Sequence, residues 1–234
     1  MALPETTRQR LAGVSTATLT TVLLKKGLRN VWIRGSTPLH PGQPRLVGEA
    51  FTLRFVPARE DLATPESWSS PRSTRGAIEA MPEGCIAVAA ASGGVTDAGI
   101  FGDILCQRMS VRGVAGLVTD GVVRDLAGVL ETGLPVWSGG IAAPPSVAGL
   151  TFVGWQEPIG CGGVAIFPDD VIVADADGAV VIPRALLETV ESESVEQEAL
   201  ETWLMDEVRG GAALPGLYPP NAETRARYQA FRDA

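Results

Sequence analysis

Between Cys85 and Ser138 the sequence alternates apolar runs with segments of helical character, and that alternation confines the chain to an α/β fold. The run Cys85-Ile-Ala-Val-Ala-Ala-Ala reads as a buried strand. Asp103 to Val111 follows as a helix with Ile104, Leu105 and Met109 facing inward. Ala115-Gly-Leu-Val-Thr-Asp is a second short strand, and Val123-Arg124-Asp125 leads into a helix through Leu130. Leu134-Pro-Val-Trp-Ser starts a third strand. Asp103 opens one apolar segment and Arg124-Asp125 closes an apolar run. Two carboxylates and an arginine therefore fall at the ends of packed elements, where a turn can grip an anionic substrate and a metal together.

The flanking sequence extends this pattern. Residues 6–27 are predicted to be helical, with Ser15-Thr16 as a cap and Gly27 as the stop. Residues 29–45 are turn-rich, and Gly48 to Val56 alternates as a strand. Residues 57–75 are polar and proline-containing, which predicts a long loop of the kind that is usually functional or disordered. A short helix is expected over Ala77 to Met81. From Val147 to Pro183 the pattern is β, with strands at 150–155, 164–167, 170–174 and 179–182. Residues 184–209 form an acidic helix, followed by an extended arm and a short amphipathic helix. With no internal repeat or low-complexity tract, residues 1–234 read as one α/β domain, with an N-terminal helical segment at 1–28 and a C-terminal helix and arm at 184–234.

Composition narrows the chemistry. A net charge of −8 argues against an electrostatic grip on nucleic acid or an acidic membrane, although Arg54, Arg59, Arg72 and Arg75 form a local cationic cluster. No run reaches transmembrane length and no apolar signal core opens the chain, so a cytoplasmic location is expected. The three cysteines, Cys85, Cys106 and Cys161, lack close pairing and suit reduced, buried thiols. The single histidine, His40, lies in a turn-like Pro-Leu-His-Pro-Gly context, which argues against His-ligated zinc and Ser-His-Asp or Cys-His catalysis. Acid–base work is left to carboxylates, water or a metal-bound water.

Arginine offers a planar fork that matches a carboxylate bidentately, and aspartate is a hard oxygen ligand suited to Mg²⁺ or Mn²⁺. Arg124 and Asp125 together could hold a 2-oxo acid and a metal; the competing reading is a helix N-cap beside a surface arginine. Asp103 is either another N-cap or part of an anion-binding set with Gly102 and the backbone N–H groups of Ile104 and Leu105. Asp120 reads as a strand-end turn residue. Gly139-Gly140 and Gly160-Cys-Gly-Gly163 read as turns, outside the phosphate-loop patterns. The acidic helix reads as a solvated face, or as the source of a glutamate reaching a neighbouring subunit.

Gly102-Asp103-Ile104-Leu105, followed by Arg112-Gly-Val-Ala-Gly-Leu-Val-Thr-Asp-Gly-Val-Val-Arg124-Asp125, resembles the RraA-like family. That family includes class II 4-hydroxy-4-methyl-2-oxoglutarate / 4-carboxy-4-hydroxy-2-oxoadipate aldolases. The likeness extends to Val14-Ser-Thr-Ala-Thr-Leu, Leu134-Pro-Val-Trp and the stretch from Phe167 to Pro183, so it covers most of the chain. It implies a swivelling β/β/α domain assembled as homotrimers or hexamers with sites between subunits. It also implies that Asp125 binds Mg²⁺ or Mn²⁺, that Arg124 holds the pyruvate portion of the substrate, and that Gly102 to Leu105 form the substrate loop. In that scheme Asp103 orients a metal-bound water, and Glu196, Glu198 or Glu201 reaches a neighbouring site. The implied activity is metal-dependent cleavage of a 4-hydroxy-2-oxo acid to pyruvate, with oxaloacetate decarboxylation. The alternatives are a protein regulator of ribonuclease E, or a related hydratase or 2-oxo acid lyase. The 54–75 segment departs from the minimal family pattern and is expected either to recognise a different distal group, such as a sugar-acid-derived tail, or to serve as an interface loop.

Overall fold

The computed structural model describes residues 3–233, so Met1, Ala2 and Ala234, at the ends of the expected terminal segments, lie outside the described residues. The chain opens with α1 (Glu5–Ala12), α2 (Thr16–Lys25), β1 (Trp32–Ile33), β2 (Thr37–Pro38) and the long strand β3 (Leu46–Pro57). Then come α3 (Thr74–Ala80), β4 (Ile86–Ala91), α4 (Asp103–Val111), β5 (Gly116–Thr119), α5 (Leu126–Glu131) and β6 (Val136–Ser138). Five strands follow: β7 (Leu150–Trp155), β8 (Ile159–Cys161), β9 (Val164–Ile166), β10 (Val171–Asp175) and β11 (Gly178–Ile182). The chain closes with α6 (Leu187–Arg209) and α7 (Ala222–Arg232).

β3 organises the sheet. On one side it runs parallel to β4, from Ala50 opposite Ile86 to Phe55 opposite Ala91. On the other side its first residues pair antiparallel with β10 and its last with β7. The main sheet order is β1-β11-β10-β3-β4-β5-β6-β2, with the β3–β6 portion parallel.

Successive strand side chains point to opposite faces, so each strand feeds two cores. Phe51, Leu53 and Phe55 of β3 join Ala87, Ala89 and Ala91 of β4 under the helices, against Ala77, Ile78, Cys106, Met109 and Val129. Leu46 and Ala50 join Ile86, Val88 and Ala90 on the opposite face, which the β8–β9 hairpin closes with Ile159, Cys161, Val164 and Ile166. A third core lies between α1, α2, α6 and the β10–β11 pair, built on Leu11, Leu19, Leu23, Val173, Val180 and Val190. Each Val, Leu, Ile, Phe or Met side chain among these contributes about 1.5–3 kcal/mol on removal from water, against the entropy of ordering it.

The structure corrects several sequence expectations. The helix expected over 6–27 is two helices. Ser15 is extended (φ −73°, ψ 151°), and its hydroxyl accepts the Thr18 N–H at 3.1 Å, so its capping restarts the helix instead of continuing it. The turn-rich 29–45 stretch contributes two short strands, and β8 adds a strand that its Pro-Ile-Gly-Cys sequence concealed. The short helix begins at Thr74 rather than Ala77, capped by Ser73. The acidic helix starts at Leu187, after a 3₁₀ turn at Arg184–Leu186. Ile104 does not face inward; it is 79% exposed. At 100° per residue it lies about 200° from Cys106, and the inward stripe is Cys106 and Met109 with Leu105 beside it.

All three cysteines are free and buried. Burial pushes the Cys85 and Cys106 thiols up to about 12 and raises Cys161 well above its ordinary value. A raised thiol pKa keeps the reactive thiolate scarce. The native protein is therefore expected to resist a thiol reagent at pH 8 and to release three equivalents once unfolded in guanidinium. A fast-reacting native equivalent would contradict this packing.

Candidate active site

In open α/β sheets, ligands gather beyond the carboxyl ends of parallel strands. Here the chain leaves β4, loops through residues 92–102 and enters α4; it leaves β5 through residues 120–125 and enters α5. These two connections and the one after β6 are laced together past the sheet edge. Gly99 bridges both Val122 and Pro145, and Val123 bridges Ile141. The Ile100 N–H donates to the Val122 carbonyl at 2.9 Å, and the Arg124 N–H donates to the Phe101 carbonyl at 3.0 Å. This short ladder fixes the start of α4 against the start of α5.

Close approach at two glycines makes that registration possible. A Cβ on Gly102 would stand 2.6 Å from Asp125 Oδ2, and one on Gly128 would stand 2.6 Å from Asp103 Cβ. Asp103 and Asp125 thus sit on adjoining turns, each packed against a bare backbone of the other's helix entrance.

Asp125 occupies the N-cap position of α5, yet its side chain makes no capping bond. Its backbone is left-handed (φ 56°, ψ 47°), which costs energy for a residue with a Cβ. The carboxylate instead accepts a hydrogen bond from Arg124 Nε at 3.0 Å, with both side chains partly open to solvent. Asp103 is the first residue of α4 and Gly102 its cap; Asp103 Oδ1 accepts the Ile104 N–H at 2.6 Å. The N–H groups of Leu105, Leu126 and Ala127 find no acceptor among the described residues. Two helix N-termini, each with a positive dipole end, therefore open beside one guanidinium.

All six residues singled out from sequence (Gly102, Asp103, Ile104, Leu105, Arg124 and Asp125) line one cleft of about 370 Å³. The same cleft is also lined by Trp68, Thr74, Arg75 and Ser146, which were not among the residues singled out from sequence. Of the four clustered arginines only Arg75 lines this cleft. Arg54 pairs with Glu157 at 3.6 Å and Arg59 with Asp61 at 2.7 Å, while Arg72 lines a neighbouring hollow. Trp68 belongs to a 3₁₀ turn inside the long 57–75 loop, and that loop's length was the one signal pointing to this part of the cleft.

Asp120 lies outside the cleft. It is buried, and its two oxygens accept the Ala91 N–H at 2.7 Å and the Gly162 N–H at 2.9 Å. The candidate inter-subunit glutamates all have partners within the chain. Glu196 pairs with Arg232, Glu198 accepts the Ser15 N–H at 3.1 Å, and Glu201 accepts from Thr18 Oγ1 at 3.2 Å.

The described residues contain no group of three or more His, Cys, Asp or Glu placed to enclose a metal. An ion that keeps most of its waters needs only one or two carboxylates, and the site has that donor set. Asp125 is turned from its helix into the cleft, with room left by the missing Cβ of Gly102. The residues therefore fit a hydrated Mg²⁺ or Mn²⁺.

The sheet and its laced strand ends define an α/β protein of the swivelling β/β/α class, with an open cleft at two helix entrances. Residues 16–181 match the model of the RraA-like family, described as Aldolase/RraA, and the chain belongs to that family. A relative from Halalkalibacterium halodurans, provisionally named a 4-hydroxy-4-methyl-2-oxoglutarate aldolase, is 36% identical over 169 residues, covering 70% of this chain and 74% of its own. A crystal structure of an uncharacterized protein from Pseudomonas syringae pv. tomato superposes with a TM-score of 0.81 at 25% identity, over 94% of this chain and 96% of that one. Streptomyces coelicolor RraAS2, described as an unusual member of the RNase ES inhibitor RraA protein family, gives 0.77 at 32% identity, over 87% and 97%. Among the described residues no helix is long and apolar enough to cross a membrane.

Proposed function

We propose that this protein is a divalent-metal-dependent lyase that cleaves a 4-hydroxy-2-oxo acid to pyruvate and a carbonyl product, and that it also decarboxylates oxaloacetate. The observation that carries this reading is Asp125: a strained backbone that forgoes a helix cap to aim a carboxylate into the cleft beside Arg124. Kinship with a provisionally named aldolase supports the same chemistry.

Arg124 would grip the substrate carboxylate with its fork, and the free N–H groups at the start of α4 and α5 would add positive potential where negative charge develops. A Mg²⁺ or Mn²⁺ held by Asp125 would polarise the 2-oxo group and so stabilise the charge left on C3 when the C3–C4 bond breaks. Asp103 would orient the water that accepts the C4-hydroxyl proton. C4 then departs as the carbonyl, and C3 takes up a proton to complete pyruvate. In oxaloacetate the departing group is CO₂ and the charge on C3 is the same. The subunits would assemble as trimers or hexamers, with Glu196, Glu198 or Glu201 of a neighbouring copy closing the site. An active monomer in sedimentation would remove that feature. The three buried thiols suit a reducing cytoplasm.

The test is pyruvate release from oxaloacetate and from 4-hydroxy-2-oxo acids, coupled to lactate dehydrogenase, with Mg²⁺ or Mn²⁺ and after EDTA. Metal-dependent release is expected. Arg124→Lys keeps the charge but loses the fork, and should lower kcat/KM about 100-fold. Unchanged turnover would remove Arg124 from substrate binding. The likeness to RraAS2 favours a second reading, a protein regulator of an RNase E-type enzyme. Ribonuclease inhibition by a protein that releases no pyruvate would establish that alternative.

A further inference from the structure

The cleft that Arg124 lines also holds a second cation, one without an ion-pair partner among the described residues. Arg75, in the first turn of α3, lies with its guanidinium carbon 4.9 Å from the centroid of the Trp68 ring. Among the described residues it has no carboxylate within ion-pair distance and no hydrogen-bond acceptor. Its neighbours Arg54 and Arg59 are both paired with acids. Two guanidiniums and two carboxylates line one cleft; Arg124 shares its charge with Asp125, so of the two guanidiniums only Arg75 is without an ion-pair partner among the described residues. Trp68 holds that charge in place through the ring face, which attracts a cation and limits the rotamers of a long side chain.

We infer that Arg75, positioned by Trp68, is the specificity-determining residue for the distal half of the substrate, selecting a second anionic group at the end remote from the carboxylate held by Arg124. This rests on the 2-oxo acid reading above and deepens it. Arg75 takes no part in breaking the C3–C4 bond. A carboxylate arriving at Arg75 gains a charge-assisted contact with a donor that has no existing partner to give up. A neutral tail of the same length gains only contact with the indole edge. The 3₁₀ turn that carries Trp68 belongs to the long polar loop, so the loop's role is to place this platform.

Two uncleavable ligands of equal chain length separate the possibilities: 2-oxoglutarate, with a distal carboxylate, and 2-oxopentanoate, with a methyl group there. Each is measured with Mn²⁺ as a competitive inhibitor of oxaloacetate decarboxylation, and by titration calorimetry against wild type, Arg75→Gln and Trp68→Leu. Wild type is expected to prefer 2-oxoglutarate by roughly tenfold or more. Arg75→Gln should erase that preference by weakening 2-oxoglutarate binding, with 2-oxopentanoate binding changed little. Trp68→Leu should erode the preference in part. Equal binding of both ligands by wild type, or a preference that survives Arg75→Gln, would overturn this inference while leaving the 2-oxo acid site standing. Failure of wild type to bind either ligand would overturn the 2-oxo acid reading and this inference with it.

Discussion

Asp125→Asn is expected to lower metal-dependent pyruvate release by at least about 1000-fold and to weaken Mn²⁺ binding by a comparable factor, with little change in melting temperature. Asparagine is nearly isosteric and tolerates the left-handed region, so the backbone has no reason to move. What is lost is the anionic oxygen facing the cleft. The ion pair with Arg124 contributes only about 0–1 kcal/mol, because both side chains are partly solvated.

Two companion variants separate strain from chemistry. Asp125→Gly relieves the left-handed backbone but adds chain entropy to the unfolded state, and these roughly cancel, leaving stability within about 1 kcal/mol of wild type. Asp125→Ala keeps a Cβ and loses the side chain's local compensation, so it should be less stable than the glycine variant by about 1–2 kcal/mol. All three should be inactive. Thermal melts that rank alanine above glycine would show that the turn is not held left-handed. Unaltered Mn²⁺ affinity in the asparagine variant would end the ligand assignment.

The second large effect concerns stability. Asp120→Ala is expected to destabilise the protein by about 3–4 kcal/mol, which for a chain of this size lowers the melting temperature by roughly 10 °C. Its two oxygens serve backbone donors on different elements, buried Ala91 at the end of β4 and half-buried Gly162 in the β8–β9 turn. Truncation leaves both N–H groups without their acceptor, that of Ala91 in the buried interior. Asp120→Asn recovers one acceptor and places an NH₂ against the other donor, so it should recover less than half of the loss. A melting temperature within about 2 °C of wild type for the alanine variant would show that neither bond carries weight.

The legible parts of the fold were those set by short-range patterning. The alternation of β3, the apolar run of β4 and the start of α4 at Asp103 each follow from neighbours within a few residues. So does the convergence of Asp103 with Arg124-Asp125, because each closes a strand-to-helix turn and such turns share one end of a sheet. What escaped were features decided by packing. Ile104 looked inward because it is apolar, yet the angle of its helix hands that role to Cys106 and Met109. The break at Gly13-Val14-Ser15 hinged on whether Ser15 caps a helix or lies within one. The length of the 54–75 segment pointed to this part of the cleft, but nothing in the sequence singled out Trp68 and Arg75 as the residues that line it. Trp68 is brought to the cleft by a long loop whose spacing obeys no periodicity.

β3 ends its pairing at Pro57, opposite Leu150, and α3 begins at Thr74. Among the described residues no strand of the central sheet runs through positions 60–72. A replacement of different length there would shift no register, because every pairing on either side is complete without it. The reacting end of the cleft and the Trp68 platform beneath Arg75 are thus built from separable stretches of chain. A lineage, or an engineer, can exchange that platform while the bond-breaking half is inherited intact.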